Sequence, residues 1–344
     1  MRRRVTARLD RPRVSVRVDL RVAAVLGAAL LAMLGAAVLG LADGDFDIPA
    51  GDVAATLVGA GTPEHEFIVL DLRLPRVLLA ILVGCAFGLA GALLQSLARN
   101  PLVAPDIIGI DAGAALAAVA VIVLGLPLPL APAALTGALC AAALLYLLAY
   151  RAGVSSTRLV LVGVALNATF FAGVSYLLAR GDILEVQRAT LWLIGSVHSA
   201  GWADVRLMGA AVLLLVPAAI VLGRHLDALQ LGDDLARGLG ARVERIRLAL
   251  ILIAVALAAS AVSVVGPIAF VAFIAPHIAR RTAGTSGAGI LPAAAAIGGL
   301  LVLASDLLAQ RMPTPLPAGI VTSILGAPYF LLLLRRAERL GQAA

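Results

Sequence analysis

The sequence contains no lysine. All 27 of its basic residues are arginine, so the lysine that a phosphate-cradling P-loop needs is missing and the chain cannot hydrolyse ATP by that route. Charge is scarce altogether, at 14% of 344 positions, and aromatic residues make up only 4%. With 62% hydrophobic residues, a soluble globule would have too little polar surface to cover itself, which leaves the bilayer as the natural solvent. Two cysteines occur, Cys85 and Cys140; both lie inside apolar runs, act there as small hydrophobes, and argue for no disulfide. HExxH and GxSxG are absent, and so are paired carboxylates within the apolar runs. Neither a membrane hydrolase nor a proton-coupled carrier finds its usual equipment, and no enzyme activity, metal or cofactor is expected. The basic excess of 27 over 20 acidic residues sits in the gaps between apolar runs rather than on one face, so nucleic acid is not an expected partner.

What is present is a series of apolar runs of about the length that crosses ~30 Å of hydrocarbon. They fall at 22–41, 77–97, 107–126, 130–150, 159–179, 207–223, 248–265, 267–280, 290–309 and 317–334, and they predict an all-α integral membrane protein, a polytopic bundle of about ten helices. Eight arginines precede the first run, a pattern shared with secretory signals, but the many later spans favour an uncleaved first helix. Residues 1–21 read as a cytoplasmic basic arm, 22–334 as one transmembrane domain and 335–344 as a cytoplasmic tail. Cytoplasmic loops retain positive charge. Placing the N-terminus inside puts 21 arginines on the inner side and six outside, where the loop 42–76 adds seven acidic residues; both termini are thus expected in the cytoplasm. Residues 248–279 are long for one crossing and short for two. Gly266-Pro267 should break the helix, and two crossings are expected because they return Arg280 and Arg281 to the basic side.

Several motifs stand out. Gly84, Gly88, Gly91 and Gln95 recur at helical spacing and predict a groove for a closely packed neighbour. Gln95 is followed by Arg99, Asn100 and Pro101; Pro101 and Pro105 end one helix before Asp106 caps the next. The longest internal loop, 226–246, reads as short helices punctuated by glycines, either a docking element for a cytoplasmic partner or a solvated loop. His277, in Ala275-Pro276-His277, has no second histidine or carboxylate at ligand spacing and reads as an interfacial histidine rather than a relay or metal ligand. On the outer side Arg73, Arg76 and Arg311 oppose the general charge bias. They invite an acidic partner, with solvation or pairing to Asp71 as the alternative.

Taken in order, Arg73-Leu74-Pro75-Arg76, the Gln95–Pro105 segment with Gly109, Trp192 with Gly195-Ser196, the 231–240 loop, Gly266–Arg280, and Asp306 through Gly326-Ala327-Pro328 resemble the permease family of bacterial ABC importers for iron siderophores, haem and cobalamin. The ferric enterobactin branch looks nearest, on Pro105–Gly109, Gly232-Asp233-Asp234 and Asp306–Gln310. The resemblance implies a ten-helix bundle of the cobalamin and siderophore importer type in the bacterial inner membrane. It also implies an ATPase dimer below, a siderophore-binding protein above and a second permease beside it, a homologous heterodimer partner being preferred. Leu231, Gly232, Asp233, Asp234, Leu235, Ala236, Arg237, Leu239 and Gly240 would receive the ATPases, and Arg73, Arg76 and Arg311 would dock the binding protein. Asn167, Thr169 and Ser175 would line the pathway, with Trp192 helping to gate it. Gln310 stands where the family carries an external arginine, which puts Arg311 in doubt as a docking residue.

Overall fold

The computed structural model describes residues 4–9, 14–44, 46–149, 156–238, 240 and 242–341. Within the basic arm, β1 (Arg4–Leu9) pairs antiparallel with β2 (Val14–Asp19), Leu9 opposite Val14; valines at every second position of β2 match the strand period. The Asp19 carboxylate then accepts from Arg21 N at 3.0 Å, capping α1 (Leu20–Ala42). The acidic outer loop folds into α2 (Ala50–Leu57) and α3 (Pro63–Glu66), and a π-helical stretch, Phe67–Arg73, leads without a break into α4 (Leu74–Ala98). There follow α5 (Ile110–Val123), α6 (Leu130–Ala149), α7 (Ser156–Arg180), α8 (Ile183–Ile194), α9 (Trp202–Gly223), α10 (Leu226–Gln230), α11 (Asp233–Gly238), α12 (Val243–Val265), α13 (Val271–Ala283), α14 (Leu291–Gln310) and α15 (Ala318–Gly341).

Each of the ten apolar runs overlaps one of these helices. Among the described residues seven helical stretches are long and apolar enough to cross a membrane, while Ile110–Val123 and Ala318–Leu333 are shorter apolar helices. α13 is shorter still, its 13 residues rising only about 20 Å. The doubtful stretch 248–279 resolves here. α12 ends at Val265, and Gly266 takes φ +76°, a conformation that glycine alone adopts cheaply. Residues 266–270 then run back without helix to Phe270, and α13 begins beside the last turns of α4: Gln95 Nε2 donates to Phe273 O at 3.2 Å. The return is therefore half coil and half helix. Irregular backbone at this depth is tolerated because it is enclosed by protein. The far end of α13, at Gly284, lies beside the Arg21 guanidinium at the start of α1, so Arg280 and Arg281 do return to the arginine-rich side.

The core is organised around α4. A Cβ added at Gly84 would meet Gly299 Cα at 2.7 Å, one at Gly88 would meet Gly298 Cα at 3.2 Å, and one at Gly91 would meet Ala272 Cα at 2.9 Å. The predicted groove is thus real, and it holds two neighbours, α14 and α13. Small residues let backbones approach where the bilayer supplies no hydrophobic drive between helices.

Candidate functional site

At the end that carries the acidic loop, Arg73 and Arg76 line a cavity of about 630 Å³, and Asp43, the partner of Arg311, lines it too. Arg73 donates to Leu41 O at 2.8 Å and Phe46 O at 2.6 Å, closing the end of α1 onto the outer loop. Arg76 makes a two-pronged bond to Asp306 of α14, Nε to Oδ2 and Nη2 to Oδ1, both 2.8 Å, and its Nη1 lies 3.1 Å from His198 Nδ1. Gln310 completes the carboxylate's shell, donating to Asp306 Oδ2 at 2.9 Å. Because Gln310 adds a donor without a second charge, the buried Asp306 is satisfied by one cation. Arg311 Nε pairs with Asp43 at 2.7 Å, both side chains about half exposed.

At the arginine-rich end α10 and α11 form the short helices expected of residues 226–246. Leu231 and Leu235 are exposed, Ala236 is buried, Gly232 and Gly240 take positive φ, and Arg237 pairs with Asp234 at 3.1 Å and Glu244 at 3.8 Å. Asp233 opens α11, and Leu239 lies outside the described residues. α10 is tied to the membrane helices at two points: the Arg99 guanidinium donates to Leu229 O, and Asp227 Oδ1 accepts from Ala288 N at 3.1 Å just before α14. Gln95, Arg99, Asn100, Pro101 and Arg280 come together around one cavity of about 430 Å³. There Gln95 bridges α4 to α13, accepting from Arg280 while donating to Phe273 O. Pro276 is buried in α13, and the His277 ring meets Tyr329 edge to face at 5.6 Å.

Within the membrane the proposed pathway residues do not form one cluster. Thr169 and Ser175 lie on the exposed face of α7, each hydroxyl donating four residues back, to Ala165 O at 2.8 Å and Phe171 O at 2.9 Å. Asn167 packs instead against Gly109. Trp192 sits near the end of α8, where the chain is clasped: Ser196 N donates to Val265 O at 2.8 Å and Gly319 N to Gly195 O at 3.1 Å, and a Cβ at Gly266 would strike the Trp192 carbonyl. Asp106 caps Ile107 N at 3.1 Å. It does not cap α5, which starts a turn later at Ile110 because the 104–109 turn first closes on its own backbone, Ile110 N to Pro105 O at 3.2 Å.

Sequence reasoning missed α8, which is only 12 residues long and carries Glu185, Gln187 and Arg188 among its apolar residues; an N-terminal Asp182 was the available signal. It also missed His198 and Asp43, whose roles depend on neighbours more than 100 residues away. Most consequential are two acids. Asp106 and Asp111 line a single cavity of about 660 Å³ with residues of α7, α8 and α15, so a carboxylate pair does exist inside the membrane domain.

A model described as the FecCD transport family matches residues 23–336. The achromobactin transport system permease protein CbrC of Dickeya dadantii is 42% identical over 328 residues, covering 94% of each chain. The ferric enterobactin transport system permease protein FepG of Escherichia coli is 40% identical over 308 residues, 88% of this chain and 93% of its own. Among solved structures, a metal-chelate type ABC transporter in an inward-facing conformation superposes with a TM-score of 0.80 at 28% identity, covering 91% of this chain and 99% of that one.

Proposed function

Since this chain belongs to the FecCD transport family, we propose that it forms half of the pathway by which an ABC importer carries a ferric siderophore across the bacterial plasma membrane. It is a permease subunit and catalyses no reaction; ATP is hydrolysed on a separate subunit. The observation that carries the coupling role is the α10–α11 unit. It exposes Leu231 and Leu235 while Arg99 and Asp227 anchor it to α4 and the start of α14. A docked ATPase moving that unit pulls directly on the two most closely packed membrane helices.

The remaining partners follow the same reading. A second, homologous permease is suited to the face of α7, α8 and α15, where Phe171, Tyr176, Leu191, Ile324 and Leu331 are exposed; a heterodimer is the preferred assembly from the likeness to ferric enterobactin permeases. A siderophore-binding protein above, with acidic side chains, would meet the outer cavity. Arg73 and Arg76 already have partners there, so docking adds acceptors to arginines whose planes are set in advance. The excess of arginine on the side of both termini supports a cytoplasmic location for them.

The test is ATP-driven uptake of a radio-iron chelate. Uptake abolished by inactivating the separate ATPase, yet indifferent to collapse of the proton gradient, supports the importer; the reverse pattern returns the carboxylate pair to a carrier role. Replacing Asp233-Asp234-Leu235 with glycines should leave ATP hydrolysis running without import, and intact transport would remove the coupling assignment.

A further inference from the structure

The basic arm is patterned as well as charged. Its two strands pair in a register that sets Val5 opposite Val18, Ala7 opposite Val16 and Leu9 opposite Val14. Residues directly opposite in an antiparallel pair share a face, and successive residues alternate between faces, so these six apolar positions fall together. The other face takes Arg4 opposite Asp19, Thr6 opposite Arg17 and Arg8 opposite Ser15. Along residues 1–21 eight arginines stand against two acids, Asp10 and Asp19, and the Asp19 carboxylate is engaged in capping α1.

A two-stranded hairpin is marginal in water and needs an apolar face covered. What lies at hand is the bilayer. β2 ends at Asp19 and α1 starts at Leu20, so no linker separates the hairpin from a membrane helix. Among the membrane-length helices α1 is the least enclosed by the chain: 6% of its most apolar stretch is buried, and Leu31 and Leu34 are exposed. It runs along the edge of the bundle, beside lipid, and its first residue brings the hairpin to the headgroup layer there. Amphipathic elements lie in that layer with the apolar face at the acyl boundary and the basic face among the headgroups. Arginines next to a membrane helix are drawn to anionic lipid.

We propose that the β1–β2 hairpin is an anionic-lipid-binding element, lying flat on the cytoplasmic leaflet. Its Val5, Ala7, Leu9, Val14, Val16 and Val18 face rests on the acyl boundary, and Arg4, Arg8 and Arg17 meet lipid phosphates. The inference goes beyond the importer reading and rests on the cytoplasmic placement of the N-terminus alone. It gives the chain a lipid contact at the start of α1, separate from the unit that receives the ATPases.

The full chain carrying Cys85→Ala and Cys140→Ala is placed in lipid nanodiscs with a polarity-sensitive thiol dye on Val16→Cys or on its neighbour Ser15→Cys. The discs are either phosphatidylcholine alone or phosphatidylcholine mixed with phosphatidylglycerol. In the anionic discs the dye at position 16 should emit to the blue of the dye at position 15, because one face enters the apolar layer and the other stays with the headgroups. Arg4→Gln, Arg8→Gln and Arg17→Gln together should weaken the arm's lipid binding about a hundredfold and return position 16 to its emission in neutral discs. Equal emission at the two positions, or at position 16 in the two kinds of disc, overturns the proposal. So does a blue shift that requires added ATPase, which would give the apolar face to that subunit. In spheroplasts a membrane-impermeant thiol reagent should leave Ser15→Cys unmodified. Modification from outside overturns the cytoplasmic placement, whereas the discs, with both leaflets alike, test lipid binding independently of it.

Discussion

α4 and α7 are both 25 residues long and both apolar enough to cross a bilayer, yet they occupy opposite situations. Of the most apolar stretch that includes α4, 78% is buried by the rest of the chain, against 17% for α7. The cause is the side chains they present. α4 offers Gly84, Gly88 and Gly91 on one face and so admits the backbones of α14 and α13, whereas α7 turns Phe171, Ser175 and Tyr176 outward. Apolarity says that a helix crosses the membrane; the spacing of its small residues says what it crosses against.

That contrast can be broken by substitution. The largest effect is expected at the pin between α4 and α14: Arg76→Ala leaves buried Asp306 without its cation and should destabilise the chain by roughly 3–5 kcal/mol. Detergent thermal scans would show it, and Arg76→Met combined with Asp306→Leu should recover most of the loss. Next comes Gly88→Leu, which drives a side chain into the α14 backbone and should cost about 3 kcal/mol; an unaltered melting profile would mean that the two helices do not depend on that approach. On the exposed face Ile324→Trp should leave the chain's own stability within about 0.5 kcal/mol while reducing recovery of the second permease in a pull-down. Thr169→Ala is the smallest: its hydroxyl bonds its own helix, so stability should again stay within about 0.5 kcal/mol, and any effect should appear in transport rate alone.

The α4 groove could be read in advance because helical period maps sequence spacing directly onto one face. The α10–α11 unit was legible for a similar reason, since Gly232 and Gly240 punctuate short amphipathic segments locally. Asp106 and Asp111 were not legible as a pair. They are five residues apart with a turn between them, and only the arrival of Phe171, Ile194 and Ser323 from three distant helices makes one cavity of their surroundings. The same holds for Arg311, which finds Asp43 at the far end of α1, and for the clasp of Gly195, Gly266 and Gly319, each ordinary in sequence.

The sequence by itself determined that this protein lives in a bilayer, that it hydrolyses no ATP through a P-loop, and roughly where it crosses, because solvent choice and span length depend on composition summed along the chain. Only the tertiary structure decided which charges are spoken for and which are not. Arg76 is held by Asp306, whose carboxylate Gln310 also bonds, while Asp111 keeps an oxygen with no hydrogen-bond partner among the described residues. Electrostatic roles depend on distance and burial in three dimensions, and residues separated by most of the chain set both.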